Sequence, residues 1–194
     1  MSGGVLTQRR RGEERSSWPC VRLGEVCEIV MGQSPASESY NESGDGLPFY
    51  QGNADFGYRW PTPRVWCNSP TKIAQSGDIL ISVRAPIGAL NFAKESCCIG
   101  RGVAALQPKK GNDSLFVYFA LKCKAADLNA RGTGSTFKAI NKKALGETAF
   151  PLPPLADQRR IASTLDSICG VIEKRKAQLV ELQRLVKSRF VEAA

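Results

Sequence analysis

The side chains best suited to chemistry in this chain are loop amides and hydroxyls set near isolated cations. Gln33 and Ser34 follow Gly32, Gln51 and Asn53 flank Gly52, and Arg84 ends the apolar run 79–83 ahead of Pro86 and Gly88. Arg101 joins them, and Gly134, Ser135, Thr136 and Lys138 share one loop. Amides and hydroxyls hydrogen-bond base edges, Lys and Arg neutralise phosphates, and glycine lets a backbone come close to a strand. Each also has a local use, since loop amides satisfy nearby backbone groups and an Arg at a strand end pairs with a surface carboxylate. Tyr40, Tyr50 and Trp60 suit stacking on bases, although loop aromatics more commonly close small apolar clusters, and Phe137 reads as such an anchor.

Other chemistries are disfavoured by composition. The 194 residues include no histidine, which removes Ser-His and Cys-His nucleophile pairs, HExxH metal sites and the usual general base near neutral pH. The cysteines, Cys20, Cys27, Cys67, Cys97, Cys98, Cys123 and Cys169, are odd in number with no CxxC pair. They predict reduced, mostly buried thiols rather than a zinc site or a disulfide framework. The chain carries no GxxxxGK[ST] phosphate loop and no Asn-Pro-Pro-Tyr methylation motif. The expectation is therefore a non-enzyme with no cofactor and no metal.

The net charge of +9 favours a polyanionic partner. Residues 101–146 hold 9 basic and 2 acidic side chains, while residues 28–100 hold 5 and 7. The excess thus surrounds the Gly/Ser/Thr loop, which favours nucleic acid. A membrane surface would need bulky apolar residues opposite Lys and Arg on one helix, and the only clear stripe here has coiled-coil spacing. No run of 18 apolar residues and no apolar core near Arg9, Arg10 and Arg11 is present, so a cytoplasmic protein without membrane attachment is expected.

The elements that must position these residues follow from pattern. Residues 1–17 read as a mobile arm. Residues 21–30 predict a strand pair, or a short helix plus a strand, stopped by Gly32 and Pro35. Residues 32–68 suit ordered loops and short strands around aromatics. The runs 79–83 and 103–106 predict buried strands, and Ser114 is expected to cap a largely buried helix over 115–126. The Gly/Ser/Thr loop, which runs to Asn141, is followed by another polar turn and then by Pro151-Leu152-Pro153-Pro154, which marks a domain boundary.

Beyond it, one proline-free helix is predicted to about residue 190, with Asp157 as cap or first-turn acid. Its stripe of Ile161, Leu165, Ile168, Ile172, Leu179, Leu182 and Val186 advances by fours and threes, with Arg175 and Arg189 at the two remaining seam positions. That is a coiled-coil seam. A helix of roughly 50 Å outruns a domain with a radius of gyration of about 16 Å, so something other than the domain is expected to cover it. Arg175 is expected to fix register by pairing with Glu173 or Glu181 across the interface.

Gly32-Gln33-Ser34-Pro35, Pro48-Phe49 before Gln51-Gly52, Gly77-Asp78-Ile79-Leu80, Ser82-Val83-Arg84-Ala85-Pro86-Ile87-Gly88, Gly134-Ser135-Thr136 and Pro151-Leu152-Pro153-Pro154-Leu155 before Gln158-Arg159-Arg160-Ile161-Ala162 together resemble specificity subunits of type I restriction-modification systems. The resemblance spans about residues 18–190. It implies an α+β fold, a mixed strand and helix target recognition domain over 18–154, then one long coiled-coil helix over 155–194. A complete member of that family has two of each, so the resemblance implies a half-subunit that homodimerises through the helix. Such a dimer would read a bipartite DNA site and recruit methyltransferase subunits, with restriction or translocase subunits as further partners. Two other readings stay open: a coiled-coil protein-interaction module without DNA binding, and a catalytic module with a Cys or carboxylate nucleophile.

Overall fold

The computed structural model describes residues 18–134 and 138–192, with side chains as far as Ser188. The N-terminal arm, Ser135, Thr136, the Phe137 anchor and the Arg189 side chain lie outside the described residues. Among the described residues no helix is long and apolar enough to cross a membrane.

The chain opens with β1 (Cys20–Arg22), α1 (Leu23–Val26) and β2 (Cys27–Met31), the short helix plus strand that residues 21–30 allowed. Glu25 accepts the Arg22 backbone N–H at 2.9 Å and closes the first turn. Short strands follow: β3 (Tyr40–Asn41), β4 (Leu47–Tyr50), β5 (Trp66–Cys67) and β6 (Ile73–Ala74). Then come β7 (Ile79–Ser82), β8 (Leu90–Phe92), β9 (Cys97–Ile99) and β10 (Val103–Pro108). The helices α2 (Ser114–Cys123), α3 (Ala125–Arg131) and α4 (Lys142–Gly146), the strand β11 (Ala149–Pro151) and the long α5 (Leu155–Glu192) complete the order.

Two sheets lie back to back. One is antiparallel in the order β2-β10-β7-β8, the other runs β3-β5-β4-β9-β6 with β4 and β9 parallel, and β1 pairs only with β11. The strand period of two explains why β7 is apolar over residues 79–81 and β10 over residues 103–106. Ile79, Ile81, Ala104 and Leu106 face the helices with Phe116, Val117, Phe119 and Leu121, whereas Leu80, Val103 and Ala105 face Tyr50, Ala74, Cys97 and Ile99 of the other sheet. Both faces are covered, so no polar alternation survives.

Three local expectations are corrected. The cap of α2 is Asp113, whose carboxylate accepts the Phe116 N–H at 2.9 Å, rather than Ser114. The helix expected over 115–126 breaks at Lys124, and Ala125 opens α3. The polar turn after residue 141 is the helix α4, capped by the Asn141 side chain on Ala144 N–H at 2.8 Å.

Helix α5 has 38 residues, about 57 Å at 1.5 Å per residue. Its root is sewn to the head. Gln158 is fully buried, accepts Asp113 N–H at 2.8 Å and donates to Pro153 O at 2.9 Å. Ala162 is buried, and Ile161, Leu165 and Cys169 rest partly buried on the head's core. Ile161 and Leu165, at the start of the expected seam, are partly buried because the head covers the first turns of the face they share. From Ile168 onward the stripe is open, with Ile168, Ile172, Leu179, Leu182 and Val186 each about half exposed or more. Arg175 donates to Gln178 at 3.1 Å, and Glu173 and Glu181 face Lys176 and Arg184 of their own helix.

Gly170 has open space where a Cβ would stand, and at 100° per residue it lies on the back of the helix, away from the stripe. Gly170→Ala is therefore expected to stabilise the protein by about 0.5–1 kcal/mol. Chemical denaturation of both forms checks this.

Candidate nucleic-acid interface

The turn joining β9 to β10, Gly100-Arg101-Gly102, organises one edge of the head. Gly100 N–H donates to Tyr50 O at 2.9 Å, and Gln33 N–H donates to Ile99 O at 2.9 Å. Val83 N–H donates to Gly102 O and Val83 O accepts Ile140 N–H, both at 2.9 Å. Ala85 N–H donates to Lys138 O at 3.0 Å, while Thr133 and Ala139 exchange two bonds of 3.0 Å. Segments 32–34, 50–52, 83–85, 100–102, 133–134 and 138–140, distant in sequence, are thereby held side by side.

Glycine is needed where they touch. A Cβ on Gly32 would stand 2.2 Å from Gly100 O, and one on Gly102 would stand 2.1 Å from Gln51 O. No side chain fits at either distance, so these residues set how tightly the loops pack. Ser82 shapes the neighbouring loop, donating to Pro86 O at 2.7 Å and accepting Ala89 N–H at 2.9 Å. Gly88 turns the chain there with φ of +94°. The Tyr40 hydroxyl donates to Pro35 O at 2.9 Å and steadies the turn after Ser34.

Gln33, Gln51, Arg84, Arg101, Gly134 and Lys138 are all exposed, and Ser34 is half-buried with its hydroxyl 3.5 Å from Arg101 N. Among the described residues neither Arg84, Arg101 nor Lys138 has a carboxylate within ion-pair distance. Unpaired cations at an exposed edge attract phosphates without first giving up an internal partner. Asn53 is half-buried and, with Gln51, lines a groove that also holds Glu42, Asp55 and Arg64, where Arg64 pairs with Asp55.

Sequence reasoning missed Thr71 and Lys72, both exposed beside Gln33; Thr71 donates to Gln33 O at 2.7 Å and Lys72 O accepts Ile99 N–H at 2.9 Å. They sit in a stretch of net negative charge, so charge counting gave no signal for Lys72. The supporting glycines were partly visible, Gly32 as a stop and Gly100 and Gly102 as neighbours of Arg101, but not their contacts.

The aromatics divide. Tyr40 stacks on Phe49 with ring centres 4.7 Å apart, and Tyr50 is buried in the inter-sheet core, where desolvation pushes its hydroxyl pKa up. Trp60 remains 45% exposed but leans on Phe92 at 5.9 Å. Four thiols, Cys27, Cys67, Cys97 and Cys98, are buried, whereas Cys20 and Cys123 are exposed and Cys169 is half-buried. Burial pushes Cys27 and Cys97 up to about 12 and Cys98 up to about 11. These three are thiols at neutral pH, a poor state for a nucleophile. Among the described residues no group of His, Cys, Asp and Glu has the arrangement to hold a metal ion.

Residues 15–184 match the family described as the type I restriction modification DNA specificity domain. The chain is 42% identical over 179 residues to a protein of Methanocaldococcus jannaschii named as the MjaX type I restriction enzyme specificity subunit, covering 91% of this chain and 42% of that one. The HsdS subunit crystal structure from Thermoanaerobacter tengcongensis superposes with a TM-score of 0.74 at 47% identity, over 86% of this chain and 41% of that one. A chain from a study of complex assembly and conformational transition of the type I R-M system superposes with a TM-score of 0.78, also at 47% identity, over 91% and 45% respectively. The chain spans less than half the length of each of these relatives.

Proposed function

The chain belongs to the type I restriction modification DNA specificity family, and from that membership we propose that its head, residues 18–154, reads double-stranded DNA while the segment over 155–194, which contains α5, joins it to a second copy. The observation that supports this most is the gathering of Gln33, Ser34, Gln51, Arg84, Arg101 and Lys138 at one edge by the Gly100–Gly102 turn. Amides that pair with base edges and cations that pair with phosphates are the two parts a specific reader needs.

The open stripe from Ile168 to Val186 supports the pairing. Two copies joined along it carry two heads, and two heads read a bipartite site with a spacer set by the helices. The dimer then recruits methyltransferase subunits, and restriction or translocase subunits where the system has them, which perform the chemistry that this chain does not.

The test is a pulldown of the full chain with candidate methyltransferase subunits, methylation mapping of the recovered complex, and a salt titration of DNA affinity. The expected result is one methylated bipartite motif and an affinity that falls steeply with salt. Affinity that ignores salt, with no motif, would instead favour a coiled-coil interaction module. Turnover by the isolated chain would overturn the non-catalytic assignment.

A further inference from the structure

We infer that the ion pair between Arg59 and Asp166 fixes the angle at which α5 leaves the head, and thereby selects the spacer length the dimer accepts. The inference rests on the reading proposed above. Arg59 belongs to a strap, residues 56–60, which continues directly from the loop that holds Gln51 and Asn53. The strap is fastened to β8. Gly57 N–H donates to the Asn91 side-chain oxygen at 3.0 Å, the Asn91 amide donates back to Gly57 O at 2.9 Å, and Phe92 N–H donates to Arg59 O at 2.8 Å. Asn91 is fully buried, so this attachment is sheltered from water.

The Arg59 guanidinium lies over the Phe92 ring at 5.9 Å, and Phe92 stacks on Tyr118 of α2 at 4.8 Å. From that seat it grips both carboxylate oxygens of Asp166, Nη2 on Oδ1 and Nη1 on Oδ2 at 3.4 Å. A forked contact restrains direction as well as distance. Its place on the helix gives it leverage. Gln158 pins the root, and Asp166 lies about 12 Å further along. Beyond Cys169 the side chains Val171 and Ile172 are exposed, so Arg59–Asp166 is the last polar tie among the described residues before the rod stands free. About 39 Å of helix follows Asp166. A tilt of about 10° would move its far end by about 7 Å, or about two base-pair steps of 3.4 Å.

The test begins with duplexes selected from a randomised double-stranded DNA library on the wild-type full chain. These are resynthesised with the spacer lengthened or shortened by one and two base pairs. Asp166→Ala and Arg59→Ala are each expected to lower discrimination between the best spacer and one two base pairs off by about fivefold. Base preference within each half-site should stay as in the wild type, and the charge swap R59D with D166R should restore discrimination. Loss of half-site affinity in D166A would overturn the assignment, because that variant removes no cation. So would unchanged spacer discrimination in both single variants.

A second measurement needs no DNA. Spin labels carried by encoded amino acids at Glu38 and Arg184 report the head-to-rod distance. The wild type should give a narrow distribution and D166A a broad one, whereas superimposable distributions overturn the clamp. If the wild type selects no bipartite duplex yet D166A broadens this distribution, the paired-reader proposal fails and the angular clamp stands.

Discussion

Replacing Leu179 and Leu182 with aspartate together is expected to leave the head folded and to convert the dimer proposed above into a monomer at every accessible concentration. Both leucines are more than half exposed in the single chain and touch nothing in the head, so their loss has no route to its core. In a pair of helices each would be buried, at about 1.5–3 kcal/mol per leucine. Two per chain make four, a loss of about 6–12 kcal/mol before counting the cost of bringing four carboxylates together. A factor of ten in association corresponds to about 1.4 kcal/mol, so dimerisation should weaken by at least about ten-thousandfold. Sedimentation velocity over a concentration series reads this directly. The same variant should still bind a duplex carrying one half-site, and should lose the preference for two. A wild-type chain that sediments as a monomer, or a double variant that stays paired, refutes the seam.

The stripe was legible because a helix repeats locally: fours and threes without proline can be counted along the chain. What covers each part of it was not. Ile161 and Leu165 obey the same spacing as Leu179 and Leu182, yet the first two lie against the head and the last two are open, since periodicity reports a face and not its neighbour. Strands β7 and β10 were legible as apolar runs because both faces are buried. Strands β3 and β5 were not, since Tyr40↔Cys67 and Asn41↔Trp66 are two-residue pairings defined by contacts 25 or more residues apart. Asp113 and Ser114 are both capping types, and only geometry decided between them. The site shows the same division. Residue types at 33, 34, 51, 84, 101 and 138 announced hydrogen bonding and charge, but the backbone bonds of the Gly100–Gly102 turn that bring them together left no local signature. Lys72, inside a negatively charged stretch, joins the edge through the pairing of its carbonyl with Ile99 N–H.

That difference between composition and placement yields the sharpest test of the reading edge. Removing Arg84, Arg101 and Lys138 together as alanines lowers the net charge from +9 to +6. So does removing Lys94, Lys110 and Lys187, which are equally exposed. Lys94 lies past the far end of β8, which pairs with the start of β7 through Ile79↔Phe92; Lys110 follows the end of β10 that pairs with Cys27; and Lys187 is on the rod. If attraction to DNA depended on net charge alone, the two triple variants would behave alike; since charges more than about 8–10 Å from the strand are screened, they should differ. If the edge holds phosphates, each lost contact retains about one more counterion, and the slope of log affinity against log salt should flatten by about 0.9 per residue, or about 2.7 for the first triple. Affinity at moderate salt should fall about a hundredfold or more for that variant and by less than about threefold for the control. The single substitutions then separate two kinds of contact. A cation on a phosphate weakens all duplexes alike and changes the slope, whereas one on a base edge costs about 1–3 kcal/mol on the preferred sequence and relaxes preference at one position. Arg101, held on a turn with glycine on both sides, has the backbone access to approach a groove floor. Its alanine variant is therefore the one expected to alter sequence preference, read by repeating the selection from a randomised library.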